Sequence, residues 1–185
     1  TITSAIASQY FPFFVTVTLF LILYAAGIMT YKGFTHPQVF YNLFIDNAPL
    51  IIVTAGITFT LLIGGIDLSV GAVVALVCMS LAYLLKNTSI PVPVAIIMVL
   101  MIGVAVGFVQ GYLITMFDMQ PFIITLAGMF FCRGLTAVIS RDTIIIDNPT
   151  YTAIASERIS LFGTGFISVG AVIALIVLGV TTIVL

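Results

Sequence analysis

Uncharged apolar runs decide what this chain can fold into. Stretches without Asp, Glu, Lys or Arg cover Thr1–Tyr31, Asn47–Ile66, Leu68–Leu85, Asn87–Phe117 and Ile159–Leu185. A further run, Met119–Ser140, is interrupted only by Arg133. A helix needs about 20 apolar residues to cross roughly 30 Å of hydrocarbon, and each run is of that order. Barrel strands alternate apolar and polar residues over about ten positions, whereas these runs are apolar on every side. The expected fold is therefore all-α: a polytopic transmembrane helical bundle of six hydrophobic segments. Their cores are read at 11–31, 48–64, 69–85, 92–116, 121–139 and 165–185, with a helix break at 64–71.

Composition closes the other routes. Of 185 residues, 62% are hydrophobic and 6% charged, and mean hydropathy is +1.36. Soluble domains show about 45–50% and about 25%. An ordinary cytosolic enzyme, a disordered chain and a disulfide-rich secreted domain are all excluded. Five basic residues and a net charge of −1 leave no phosphate-neutralising patch, so nucleic acid is excluded as a partner and membrane lipids are expected. Cys78 and Cys132 sit in apolar runs without a second ligand-type neighbour, the pattern of buried apolar cysteine.

The first run has no positive leader and no small-residue cleavage site, so it reads as a spanning helix rather than a signal peptide. The chain lacks an initiator Met and stops inside FISVGAVIALIVLGVTTIVL without a polar tail. The expectation is a single transmembrane domain, 1–185, that is an N-terminal fragment of a longer chain. Lys32–Asp46 reads as an amphipathic linker whose Phe34, Phe40, Tyr41 and Phe44 suit the interface. Lys86–Pro93 reads as a turn, with Pro91 and Pro93 opening the fourth helix. The long polar stretch 141–165 holds five of the eleven charged residues. Asn87-Thr88-Ser89 fits a glycosylation sequon, relevant only in a eukaryotic secretory pathway.

Three features carry information. In Gly64-Gly65-Ile66-Asp67-Leu68-Ser69-Val70-Gly71, the glycine pair can end a helix through the left-handed region. Asp67 or Ser69 can then accept from the free amides of the next helix. The break, with Gly64, Gly65 and Gly71, is either a tight turn at the membrane surface or a discontinuity lining a cavity, where irregular backbone is tolerated at membrane depth. Gly103, Gly107 and Gly111, spaced by four, form a helix-packing face, either within the protomer or between subunits. Arg133 is a charge inside an apolar segment, functional or snorkelling from about two turns before Ser140. There is no GxxxxGK[ST], no GxSxG and no paired-carboxylate constellation, and one histidine, His36, cannot build a zinc site. No catalytic, metal or cofactor-binding residues are expected.

LLIGGIDLSVGAVVAL (61–76) resembles the signature of bacterial sugar ABC importer permeases of the ribose, galactose and galactofuranose type. GYLITMFDMQPFIITLAGMFFCRG (111–134) continues the resemblance, with its P-F-I-x-T-L motif and Arg-Gly pair. The ITLAGMFF wording is most similar to one permease subunit of galactofuranose importers, and Asp147-Asn148-Pro149 has a counterpart in their polar loop. The resemblance runs from about Asp46 to Pro149. It implies a full-length permease of about twice this size, paired with a second permease subunit, identical or homologous. ATP would be used by a separate ATP-binding subunit, and a periplasmic sugar-binding protein would deliver the sugar. The family's cytoplasmic coupling segment would lie beyond residue 185. Sugars are neutral and rich in hydroxyls, so substrate-path candidates are Asn47, Thr54, Thr58, Thr60, Asp67, Ser69, Phe122 and Thr125.

Charge and resemblance disagree on orientation. Lys32, Lys86, Arg141 and Arg158 fall on one side of six alternating segments, which the positive-inside rule would call cytoplasmic. The resemblance implies the reverse, with the N-terminus inside and 141–165 outside. Asp46, Asp142, Asp147 and Glu157 neutralise the basic side, so the resemblance is preferred. The reading is thus a multi-pass permease subunit of the bacterial inner membrane. Its rival is an ion- or proton-coupled secondary transporter using Asp67 at the broken helix. A non-transporting membrane scaffold, suggested only by the glycine face, is the third possibility.

Overall fold

The computed structural model describes residues 2–161 and 165–185, with side chains from Tyr10 onward. The chain forms α1 (Ile2–Thr30), α2 (Pro37–Leu62), α3 (Val70–Asn87), α4 (Val92–Met116), α5 (Pro121–Ile139), α6 (Pro149–Ser156), β1 (Arg158–Leu161), β2 (Gly165–Ser168) and α7 (Val169–Val184). The first five helices are long and apolar enough to cross a membrane, while α7 is shorter. This is a polytopic helical membrane protein.

Two packing groups form. In one, α3 lies against both α4 and α5, which also touch each other. Ala72, Leu76 and Cys132 are its buried centre, surrounded by Val73, Ile102, Val106, Met129 and Ile139. Leu85, Val92 and Ala95 close the α3–α4 turn, where Tyr151 of α6 also packs. In the other group α2 lies against α7 and β2. Its centre is made of small residues, Ala48, Ala171 and Ala174, with Ile167. Small residues let helix backbones approach closely where lipid supplies no hydrophobic drive. Helix α1 stands apart: none of its apolar window Tyr10–Thr30 is buried. It is joined to α2 through rings, Tyr24 lying 5.3 Å from Phe34 and 6.5 Å from Phe40 between centroids.

Three expectations need correction. The segment read from 48 begins at Pro37, so most of the expected linker Lys32–Asp46 is helical. Pro37 occupies the first turn, where its missing N–H has no intrahelical partner to lose. Gln38 and Asn42 then lie one turn apart and share a 2.9 Å hydrogen bond. Second, the segment 165–185 starts as strand, and its helix begins only at Val169. Ser168 fixes that start, its Oγ accepting from Ala171 N at 3.2 Å. Third, the polar stretch 141–165 is structured: Asn148 caps α6, its Oδ1 accepting from Thr150 N and Tyr151 N. β1 then pairs antiparallel with β2, Arg158 opposite Ser168 and Leu161 opposite Gly165. Residues 162–164 of that stretch lie outside the described residues. This hairpin is the exception to the all-α expectation. The segments 92–116 and 121–139 fall where they were read.

Candidate functional site

The site is built by two chain reversals. Helix α2 ends in a double bond pattern: Gly65 N donates to Thr60 O at 3.0 Å and Gly64 N to Leu61 O at 2.9 Å. This 6→1 and 5→2 arrangement is the Schellman motif, and it needs a left-handed residue between. Gly64 supplies it with φ +80°. Helix α4 ends similarly, with Met119 N donating to Ile114 O at 3.2 Å across Asp118, whose φ is +49°. Aspartate is among the few side chains that tolerate this region.

The chain between α2 and α3 is tied by Asp67. Its Oδ1 accepts from Ser69 N at 2.8 Å, and Ser69 Oγ lies 2.7 Å from the same oxygen. Asp67 thus organises the connection just before α3 begins at Val70. Ser69, the N-cap, makes no side-chain bond to the first turn. It is 2% exposed, and its hydroxyl reaches across to Gln110 Oε1 of α4 at 3.1 Å. On the third side, Thr125 of α5 places its Oγ1 within 2.9 Å of Pro121 O and 3.1 Å of Ile66 O. It joins α5 to the irregular segment.

These elements border a half-open cavity of about 310 Å³. Of the residues singled out from sequence, Thr60, Gly65, Asp67, Gly107, Gly111 and Thr125 line it, joined by Gln110 and Thr115. Asp67 is the only charged side chain on the wall among the described residues. Ser69 stands behind Asp67, buried. Gly107 and Gly111 have nothing within 4 Å of where a Cβ would sit, so they open space, while Gly103 approaches Val77 and Val73 of α3 at 3.6 and 3.9 Å.

The remaining candidates lie elsewhere. Asn47, Thr54 and Thr58 donate to carbonyls of their own helix, Leu43, Leu50 and Thr54, at 2.7–2.8 Å, and none lines the cavity. Phe122 is half exposed at 51%. Gly71 has open space around it. Arg133 is exposed on α5.

Gln110 and Thr115 are the polar site residues that sequence reading missed, and Gln110 is the more telling. Its signal was present: it is the only amide side chain between Asn87 and Gln120, inside an otherwise apolar helix. Gly128 of α5 makes room for it, since a Cβ there would overlap the Gln110 amide nitrogen. Beyond Gln110 lies a second, apolar cavity of about 460 Å³ between α4 and α5, lined by Val106, Val109, Ile124, Ala127 and Phe131 among others. Gln110 lines both.

Known proteins share this sequence pattern. The chain is 36% identical over 171 residues to the inner membrane ABC transporter permease protein YjfF of Escherichia coli, covering 91% of this chain and 52% of that one. It is 36% identical over 175 residues to the fructose import permease protein FruG of Bifidobacterium longum, covering 91% and 51%. To the ribose import permease protein RbsC of Haemophilus influenzae it is 36% identical over 119 residues, covering 63% and 35%. The chain thus spans about half the length of the first two relatives. No solved structure matches significantly. The family model described as "Branched-chain amino acid transport system / permease component" matches residues 39–185, from the first turn of α2 through both reversals to the last residue, and the chain belongs to that family.

Proposed function

We propose that the protein is the membrane-spanning permease subunit of a binding-protein-dependent ABC importer, moving a sugar across the bacterial inner membrane. The observation that carries this reading is the likeness to permeases named for ABC transport, fructose import and ribose import, extending over 91% of the chain for two of them. The cavity supports it. Its polar wall consists of Thr60, Thr115 and Thr125 hydroxyls, one amide and one carboxylate, with no cation among the described residues. The lining is otherwise apolar; its carboxylate and hydroxyl oxygens are acceptors for the hydroxyls of a neutral solute, and it offers an anion no counter-charge. Irregular backbone at 63–69 can sit at membrane depth because it lines such a space.

In this reading the chain is not an enzyme and binds no cofactor. A separate ATP-binding subunit hydrolyses ATP, a periplasmic sugar-binding protein delivers the solute, and a second permease subunit, the same or homologous, completes the path. Partner binding biases inward- against outward-facing states. The segment 141–165, with α6 and β1, faces the periplasm. The test is uptake by the full-length protein with its partners in sealed vesicles. ATP supplied to the ATPase side should drive sugar accumulation that survives an uncoupler. Accumulation that collapses with the uncoupler at constant ATP would overturn the proposal. Orientation is read separately, by cysteines at Thr150 or Ser156, both exposed, in a background with the exposed Cys78 replaced. Labelling by an impermeant thiol reagent in intact cells is expected. Labelling only after the inner membrane is opened would reverse the orientation.

A further inference from the structure

Gln110 is 8% exposed, and its Nε2 is buried without a hydrogen-bond partner among the described residues. Its Oε1 lies 3.1 Å from Ser69 Oγ, and that hydroxyl also lies 2.7 Å from Asp67 Oδ1. A hydroxyl has one proton to give, and both a carboxylate and an amide oxygen only accept. The carboxylate, being charged, takes the proton. The Ser69–Gln110 contact then sets acceptor against acceptor while a donor nearby goes unused. Half a turn of the amide about Cγ–Cδ exchanges two atoms of similar size, removes the clash of acceptors and sets the donor to use, leaving the carbonyl oxygen in the place of the unpartnered nitrogen.

We propose that Gln110 is a positioning residue heading a one-way relay: Gln110 Nε2–H donates to Ser69 Oγ, and Ser69 Oγ–H donates to Asp67 Oδ1. With the Ser69 backbone N–H on the same oxygen at 2.8 Å, Oδ1 is fully engaged. No other hydrogen bond reaches Asp67 among the described residues, and Asp67 lines the cavity. The relay therefore holds the carboxylate still and leaves its second oxygen as the acceptor for a solute hydroxyl. Gly128 is part of the device, because any side chain there would evict the amide. The direction of the relay stands apart from transport, whereas its use on a solute rests on the permease reading.

Gln110→Glu tests the direction. When ionised, the new carboxylate has no proton for Ser69 and lies near Asp67; when protonated, it is a donor shaped like glutamine. Asp67 is the only titratable group lining either cavity beside Gln110, and α5 contributes none to their walls. The full-length protein in lipid nanodiscs is melted at pH 8 and pH 5, each variant against wild type at the same pH. Gln110→Glu should melt roughly 5 °C low at pH 8 and recover most of that loss at pH 5, while Gln110→Leu stays low at both. Ser69→Ala should abolish the acid recovery of Gln110→Glu. Gln110→Glu matching wild type at pH 8 and weakening at pH 5 would show that position 110 accepts, and would overturn the relay. So would Gln110→Glu tracking Gln110→Leu at both pH values. If Gln110→Glu does not fold, the Ser69→Ala/Gln110→Leu pair decides: combined losses smaller than their sum support the relay, and additive losses refute it. Sugar uptake is measured alongside. Uptake by wild type with no acid recovery in Gln110→Glu refutes the relay alone; acid recovery with no uptake by wild type refutes the permease reading alone.

Discussion

Two glutamines, each set against a glycine, anchor the two packing groups, and they are treated very differently. Gln38, near the start of α2, is saturated. Its Oε1 accepts from Phe166 N at 2.9 Å, and its Nε2 donates to Phe166 O at 3.1 Å and to Asn42 Oδ1 at 2.9 Å. The amide thus acts as one more residue along β2, pairing with both main-chain groups of Phe166. Gly165 lets this happen, since a Cβ there would come within 3.0 Å of Gln38 Oε1 and 2.6 Å of the Tyr41 ring. Gln110 has the same side chain and the same kind of neighbour, but among the described residues its one polar partner is Ser69. An amide with every partner in place is a fixed joint. An amide with one partner, set on a cavity wall, is a joint with a preferred direction.

The contrast breaks first at the glycines. Gly128→Val should be the most damaging change, because the valine and Gln110 cannot share the space; overpacking of this kind costs about 1–3 kcal/mol. Folded, monodisperse protein on size exclusion should fall sharply. Adding Gln110→Ala to Gly128→Val should recover it, and that recovery would locate the clash. Next comes Gln38→Ala, which leaves the N–H and C=O of Phe166 without their partner. The expected loss is about 1–3 kcal/mol, read as faster protease cleavage between Arg158 and Ser168. Unchanged cleavage would mean that β1 alone holds β2.

Smaller effects sharpen the contrast between the two reversals at the cavity. Gly64→Ala forces a Cβ into the left-handed region and should cost about 1 kcal/mol. Asp118→Gly relieves the same conformation at the end of α4, where no side-chain hydrogen bond of Asp118 is seen among the described residues. Relief of about 1 kcal/mol in the left-handed region is set against about 0.4–1 kcal/mol for the flexibility glycine adds to the unfolded chain, so the melting temperature should stay level or rise slightly. A loss at Asp118→Gly would assign that carboxylate a role beyond the turn.

Much of this was legible in the residues. Charge-free length located most of the spans, Gly64-Gly65 announced the left-handed stop, and the segment read at 121–139 coincides with α5. The start of α2 was not legible, because Lys32 and Asp46 bracket residues whose mixed character fits an interfacial loop and a helix equally well. The β1–β2 hairpin was hidden for a different reason. Its second strand, Gly165–Ser168, continues without a polarity change into α7, so nothing local separates strand from helix. At the site, Thr60, Asp67 and Thr125 were named as candidates and line the cavity, while Asn47, Thr54 and Thr58 were named for the same reason and lie off it. Composition records that a polar atom is present but not where its partner lies. Gln110 and Gly128 are meaningful only as a pair from two helices, and uniform apolarity around both gives no face to a periodicity argument.

The two reversals also set the electric character of the space between them. Helices α2 and α4 end at the cavity near Ile63 and Thr115, α5 begins there at Pro121, and α3 begins just behind the wall, three residues past Asp67. Each helix end carries about half an elementary charge, negative at the C-terminus and positive at the N-terminus. Two of each sign meet around one small volume, so the backbone field largely cancels. The cavity is left with one charged side chain among the described residues, Asp67, whose engaged oxygen lies beside the positive start of α3. A dipolar solute without net charge can enter and leave such a space without dragging a counter-ion, and reversing the membrane potential should leave its residence there unchanged.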